Sequence, residues 1–123
     1  PFAPATLFET AEKYFDIGNK KTQFPFRFML YVVSVKKQFR SILGAVTHED
    51  GTARPQFVRK EDNRRYYNLI KKFGEKTGIF VLLNTSFNLK GEPIVISAKQ
   101  ALQTFRRSGL DILVIQNYVI KKS

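Results

Sequence analysis

The sequence contains no cysteine and a single histidine, His48, among its 123 residues. Without cysteine, the chain can form neither a disulfide framework nor a thiolate metal site. With one histidine, it cannot build a metal site from several of its own imidazoles, so we expect no metal in this chain. The absence of cysteine also fits a reducing compartment, and we expect a cytoplasmic protein.

Long apolar runs and common catalytic motifs are missing as well. No apolar stretch approaches the roughly 20 residues that cross a bilayer, so we expect no membrane partner. The sequence has no G-x-S-x-G elbow and no G-x-x-x-x-G-K-[ST] phosphate loop. These absences argue against a nucleophile–base–acid triad and against a P-loop nucleotide-binding domain.

What is present suits one folded domain with a basic surface. Hydrophobic residues make up 43% of the chain and 12 residues are phenylalanine, which favours a packed core over disorder. The net charge of +11 suggests a polyanionic partner such as phosphate groups, nucleotides or RNA. However, the basic residues occur as scattered doublets, such as Lys36-Lys37 and Arg106-Arg107, which is typical of solvated surface charge.

Hydrophobic periodicity predicts an α+β domain in which helices pack on a twisted mixed β-sheet in three layers. In the second helix, Tyr66, Leu69, Ile70 and Phe73 form the expected core stripe. Ser97 and Gln100 form a capping box before the third helix. The predicted helices cover residues 4–15, 62–76 and 98–107. The predicted strands cover residues 27–35, 42–46, 56–58, 79–83, 94–96, 111–115 and 118–120.

The strand at residues 79–83 is the most informative stretch for function. Five consecutive apolar residues predict a strand buried on both faces. Ligands of open α/β sheets sit beyond the carboxyl ends of the strands. Four polar residues follow this strand, and they are either ligand contacts or ordinary turn residues. These residues are Asn84, Thr85, Ser86 and Asn88.

A second candidate segment surrounds the turn predicted at Asp50-Gly51. Arg54 follows this turn, and its planar guanidinium can grip phosphate or carboxylate oxygens in bidentate fashion. His48 precedes the turn and either contacts a ligand or remains solvated and holds the loop. Arg54 becomes a strong candidate only if the fold brings it close to Asn84 and Ser86.

Four blocks of the sequence resemble the signature blocks of the nodulation and antibiotic O-carbamoyltransferase family. The resemblance extends from residue 1 to about residue 121, and its two middle blocks are long and specific. The first block is Phe2-Ala3-Pro4, and the last is Leu110-Asp111-x-Leu113-Val114-Ile115. The middle blocks are Ala45-Val46-Thr47-His48-x-Asp50-Gly51-Thr52-Ala53-Arg54-x-Gln56 and Leu83-Asn84-Thr85-Ser86-Phe87-Asn88-x-x-Gly91-Glu92-Pro93-Ile94-Val95.

The resemblance implies a YrdC-like fold and a role within a two-domain enzyme. Residues 1–123 would be the C-terminal domain, truncated at its N-terminus, which uses ATP, with Mg²⁺ expected, and carbamoyl phosphate to form carbamoyl-adenylate. A metal-containing, Kae1-like N-terminal domain would then pass the carbamoyl group to an acceptor hydroxyl.

The resemblance also implies roles for particular residues. Arg54, Asn84 and Ser86 match family residues that line the nucleotide and carbamoyl site, and they are the expected catalytic residues. Arg54 would neutralise phosphate charge, while Asn84 and Ser86 would hydrogen-bond phosphate or carbamoyl oxygens. His48, Thr85 and Asn88 are expected to join these three in binding the nucleotide and its donor.

One departure and two alternatives accompany this interpretation. The family carries a Lys- and Arg-containing block just before the segment that starts here at Pro1. We therefore expect isolated residues 1–123 to bind nucleotide weakly and to catalyse nothing.

The first alternative is a YrdC-like RNA- or nucleotide-binding module without catalysis, whose RNA binding would be strongly salt-dependent. A nucleic-acid partner is not our expectation, because no exposed aromatic ribonucleoprotein motif is visible. The second alternative is an interaction domain with an apolar patch for its neighbour.

Overall fold

A computed structural model of the chain describes residues 2–20, 22 and 24–122; Pro1, Lys21, Gln23 and Ser123 lie outside the described residues. The chain divides into two compact units, Pro1–Thr85 and Ser86–Ser123. Helices and small sheets both contribute, which confirms the α+β class. Instead of the single sheet expected, the described strands form three small sheets of three, three and two strands.

The described residues of the first unit form six strands and two α-helices. Its strands are β1 (Ala3–Leu7), β2 (Phe15–Asp16), β3 (Val33–Val35), β4 (Thr52–Ala53), β5 (Gln56–Val58) and β6 (Val81–Asn84), and its helices are α1 (Ala11–Tyr14) and α2 (Arg64–Thr77). Short 3-10 helices occupy Phe8–Thr10, Gly18–Lys20, Phe24–Phe28, Lys37–Phe39 and Gly44–Val46. The second unit contains α3 (Ala98–Arg107), β7 (Ile112–Ile115) and β8 (Tyr118–Lys121).

The first sheet has the order β5-β1-β6, with β1 parallel to β5 and antiparallel to β6. The helix predicted at residues 4–15 is therefore wrong for its first half, where β1 lies, and only α1 is α-helical. Hydrogen bonding to a strand on each side stabilises β1 and overrides the local helical pattern. The strand predicted at 79–83 is β6, but it lies at the sheet edge and Leu83 is 44% exposed. Its predicted burial on both faces is therefore wrong.

Helix α2 confirms the prediction for residues 62–76 in position and length. Asn63 caps it by accepting a hydrogen bond from Tyr66 N at 3.0 Å, and Gly78 ends it at φ +79°. Its buried face centres on Ile70 and Gly74. Leu69 and Phe73, predicted to be core residues, are 56% and 39% exposed.

The second sheet is antiparallel, in the order β2-β3-β4. Here the predicted strand at 27–35 is limited to β3, because Phe24–Phe28 forms a 3-10 helix and Met29 adopts a positive φ of 55°. Phe26 stacks on Phe57 with ring centroids 4.3 Å apart, and this packing stabilises the 3-10 conformation. The strand predicted at 42–46 is also wrong, because Gly44–Val46 is a 3-10 turn.

In the second unit, α3 confirms the helix predicted at 98–107. Ser97 Oγ accepts a hydrogen bond from Gln100 N at 3.2 Å, while the Gln100 side chain accepts one from Ile96 N. The strand predicted at residues 94–96 is wrong. The Ile96 N–H donates to the Gln100 side chain instead of to a neighbouring strand, and the Ile96 side chain is exposed. β7 and β8 confirm the strands predicted at 111–115 and 118–120, and they pair with each other as an antiparallel hairpin. Ile112 and Val114, expected to be buried, are exposed. None of the helices in the described residues is both long and apolar enough to span a membrane.

Candidate anion-binding site

The turn between His48 and Thr52 has a fixed conformation, as its sequence predicts. Gly51 adopts φ +80°, and its N–H donates to His48 O at 2.8 Å. His48 N–H then donates to Thr52 O at 2.7 Å. Thr52 donates from both its backbone N–H and its hydroxyl to Asp50 Oδ1, at 2.9 and 2.7 Å. These hydrogen bonds from Thr52 hold the pKa of the Asp50 carboxyl below its usual value of 3.8.

Arg40 supports this turn from the outside, and sequence reasoning missed it. Its Nε–H donates to Val35 O at 2.9 Å, while Val35 N–H donates to Gly51 O, also at 2.9 Å. The turn is thus tied to β3 through both Gly51 and Arg40. The only trace of this arrangement in the sequence is Gly51, because the residue there must lack a side chain.

A cleft of about 270 Å³ lies beside the turn, lined by Phe2, Ala3, Val32, His48 and Arg54. Arg54 is exposed and makes no hydrogen bond or ion pair with any residue that the structure describes. It leaves β4 just before the buried Pro55, so its backbone is anchored while its guanidinium remains available. A cleft with one unpaired guanidinium at its wall can accept an anionic group.

The histidine has one ring nitrogen committed to the turn. His48 Nδ1 lies 3.3 Å from Thr52 Oγ1, and the residue is half-buried. Its Nε2 has no hydrogen-bond partner within the described part of the chain. The imidazole therefore both stabilises the turn and offers one nitrogen beside the cleft.

Asn84 ends β6 directly opposite Ala3, which lines the cleft. Among the described residues Asn84 does not itself line the cleft, so its convergence with His48 and Arg54 stays a prediction. Its side chain is not free, because Nδ2 donates to Gln56 Oε1 at 2.8 Å. Sequence reasoning missed this role of Gln56, although Gln56 lies in one of the signature blocks. Thr85, the next residue, is exposed.

Ser86 and Asn88 belong to the second unit, where they stabilise their own loop. Ser86 Oγ donates to Asn88 Oδ1 at 2.6 Å. Asn88 Nδ2 donates to the backbone oxygens of Glu92 and Leu89, at 2.9 and 3.3 Å. Asn88 therefore holds residues 88–92 in a turn that also requires Gly91 at φ +82°. The convergence of Ser86 with Arg54 stays a prediction.

The part of the chain that the structure describes contains no group of three His, Asp or Glu side chains that could hold a metal ion. The described residues of the candidate site in the first unit therefore supply hydrogen-bond donors, hydrogen-bond acceptors and the unpaired guanidinium of Arg54 beside the cleft. Such groups can bind and orient an anionic substrate.

Comparison with known proteins gives a consistent result across almost the whole chain. The profile of the family described as "Carbamoyltransferase C-terminus" matches residues 1–122. The chain is 48% identical over 122 residues to the nodulation protein NolNO of Sinorhizobium fredii, covering 99% of this chain and 18% of that protein. It is 43% identical over 122 residues to the nodulation protein NolO of Bradyrhizobium diazoefficiens, covering 99% of this chain and 22% of that protein.

A third relative carries an enzymatic name. The 3'-hydroxymethylcephem-O-carbamoyltransferase of Amycolatopsis lactamdurans is 33% identical over 115 residues, which is 94% of this chain and 21% of that protein. The chain therefore spans about a fifth of the length of these curated relatives. The chain belongs to the carbamoyltransferase C-terminus family.

Proposed function

We propose that this chain is the domain of an O-carbamoyltransferase that binds ATP and carbamoyl phosphate and forms carbamoyl-adenylate. The observation that carries the proposal is Arg54, whose exposed guanidinium lies unpaired, among the described residues, at a cleft in a chain of the carbamoyltransferase family. Both proposed substrates are phosphate esters or anhydrides, which a guanidinium fork fits.

Each site residue has a specific part in this proposal. Arg54 binds phosphate oxygens and offsets the charge that shifts during acyl and phosphoryl exchange. His48 offers its free ring nitrogen to the same anion, while Asn84 contacts the carbamoyl group. The nucleotide is contacted by Thr85, Ser86 and Asn88 in this proposal, and Mg²⁺ accompanies the ATP phosphates.

The remaining steps belong to other parts of the protein. We propose that a Kae1-like N-terminal domain, which carries the metal, passes the carbamoyl group to an acceptor hydroxyl. The name of the cephem relative, an O-carbamoyltransferase, supports transfer of the carbamoyl group to a hydroxyl. A YrdC-like, three-layer fold and a cytoplasmic location complete the proposal.

The direct test uses the full-length protein that contains this chain. Carbamoyl phosphate is expected to stimulate release of pyrophosphate from ATP together with orthophosphate. Water cleaves the donor's mixed anhydride to carbamate and orthophosphate, and a carbamate oxygen then attacks the α-phosphorus of ATP and expels the β- and γ-phosphates as pyrophosphate. Acetyl phosphate at the same concentration serves as the control for a general phosphate effect. If pyrophosphate release does not depend on carbamoyl phosphate, the proposed reaction is wrong.

The net charge of +11 supports a second candidate, an RNA- or nucleotide-binding module without catalysis. Such a module would retain RNA on a filter at low salt and release it steeply as salt rises. Retention together with no pyrophosphate release would favour this candidate over the carbamoyltransferase domain. Absence of retention at low salt would remove it.

A further inference from the structure

The amides of Gln56 and Asn84 meet above the central strand of the first sheet. Asn84 pairs with Ala3 and Gln56 pairs with Ala5, so both side chains lie on the same face of the sheet as these two alanines. Strands two positions apart are separated by about 9–10 Å, which two amide side chains can span. The small alanine side chains leave the space in which Asn84 Nδ2 donates to Gln56 Oε1 at 2.8 Å.

Gln56 is itself fixed from the other side. Its Nε2 donates to Arg27 O at 3.0 Å. Arg27 forms an ion pair with Asp62, with Nε donating to Oδ2 at 2.9 Å. The Arg27 guanidinium also lies 5.5 and 5.9 Å from the ring centroids of Phe24 and Phe28. The backbone that receives the Gln56 amide is therefore held on both flanks.

This chain of contacts decides which way the two amides face. A backbone oxygen can only accept, so the nitrogen of Gln56 must point to Arg27 and its oxygen to Asn84. The Asn84 nitrogen must in turn point to Gln56. Asn84 Oδ1 accepts no hydrogen bond from the described residues, so it remains an acceptor for a ligand.

We propose that Gln56 is a positioning residue that presents Asn84 Oδ1 to the amino group of the carbamoyl substrate. This inference rests on the proposed function and adds the atom of the substrate that Asn84 recognises. An oriented acceptor binds an N–H group and disfavours a methyl group, because the acceptor would lose its partner. The enzyme would thereby distinguish carbamoyl phosphate from acetyl phosphate.

The experiment measures that discrimination in the full-length protein, as the ratio of the acetyl phosphate inhibition constant to the KM for carbamoyl phosphate. Gln56→Met keeps the length of the side chain and removes its hydrogen bonds. We expect the ratio to fall about tenfold in Gln56→Met and in Asn84→Ala, with the KM for ATP unchanged. Gln38→Met, at an exposed glutamine, is the matched control and should behave like the wild type.

A double variant separates positioning from general damage. If Gln56 acts through Asn84, then Gln56→Met adds nothing to the loss already caused by Asn84→Ala. Additive losses, or equal weakening of both phosphates, would overturn the inference. If Gln56→Met does not fold, Gln56→Glu tests the same point: glutamate retains an acceptor for Asn84 but cannot donate to Arg27 O. The ratio should then fall by an intermediate factor, and an unchanged ratio would also overturn the inference.

Failure of the proposed function can be distinguished from failure of the role proposed for Gln56. Loss of turnover in Arg54→Ala, with normal discrimination in Gln56→Met, would leave the function standing and remove the role of Gln56. Pyrophosphate release that does not depend on carbamoyl phosphate in the wild type would instead remove the proposed function itself.

Discussion

The guanidinium of Arg40 packs directly against the backbone of Gly51. A Cβ atom on Gly51 would lie 2.3 Å from Arg40 Cζ, and Gly51 also has a φ of +80°. Both features disfavour a side chain at this position, because the Arg40 guanidinium would have to move and the backbone would be strained. The turn that carries His48 and leads to Arg54 therefore depends on a glycine and on an arginine that lies eleven residues earlier in the sequence.

Gly51→Ala is expected to destabilise the first unit by about 1–2 kcal/mol, the cost of placing a non-glycine residue in the left-handed region. The clash would also displace Arg40 from Val35 O. Urea unfolding measures the change. The control is Gly44→Ala, because a Cβ on Gly44 meets no atom within 4 Å and its φ is not positive. A Gly51→Ala midpoint equal to that of the control would contradict this account of the turn.

Gly74→Ala tests the packing of α2 on the first sheet. Alanine raises helix propensity by about 1 kcal/mol, but a Cβ on Gly74 would lie 2.1 Å from Phe80 Cδ1. Because this ring is part of the packed interior, overpacking should win, with a net loss of about 1–2 kcal/mol.

The matched control for Gly74→Ala is Asn68→Ala, at an exposed position of the same helix. Its expected effect is a small gain in stability, from propensity alone. Thermal unfolding of both variants gives the comparison. A gain in stability for Gly74→Ala would show that α2 does not approach Phe80 closely.

Tyr67 gives a prediction on pH dependence. Its hydroxyl donates to Glu9 Oε1, and this bond to the carboxylate raises the pKa of Tyr67 to about 12. The folded state thus holds the proton more tightly than the unfolded state, whose tyrosine has a pKa near 10. The resulting stabilisation is complete below pH 10 and is lost as the pH rises from 10 to 12.

Ultraviolet titration of tyrosine ionisation measures this shift. Glu9→Gln should return the Tyr67 pKa toward 10, and Tyr67→Phe should remove the late-titrating group while reducing the loss of stability above pH 10. Tyr118→Phe, at an exposed tyrosine, serves as the control. Burial also raises the pKa of Tyr66, so the assignment is read from the difference between the variants. A titration curve of Tyr67→Phe that loses no more late-titrating tyrosine than that of Tyr118→Phe would contradict it.

The helices α2 and α3 could be predicted from sequence because their signals are local. Asn63, Gly78 and Ser97 mark their ends by side-chain capping or by a positive φ. In contrast, β1 could not be predicted, since its strand conformation depends on partners more than 50 residues away at Gln56 and Asn84. The local hydrophobic periodicity of residues 4–15 favours a helix, whereas that long-range pairing requires a strand.

The same distinction applies to the candidate site. The turn at Asp50-Gly51 was predictable, because Asp and Gly specify it locally. The bond between Gln56 and Asn84 was not, because it crosses a strand that sequence patterns assign to a helix. The exposure of Arg54 likewise follows from β4 and Pro55, and its residue type alone does not indicate it.

The most direct test of the central claim compares arginine variants of the full-length protein. We expect Arg54→Ala to lower kcat/KM for carbamoyl phosphate by about 100-fold or more, and Arg54→Lys to restore part of it, because lysine supplies charge without the planar fork. Arg64→Ala, at an exposed arginine at the start of α2, should match the wild type. Equal kcat/KM values for Arg54→Ala and Arg64→Ala would show that Arg54 does not bind the anion.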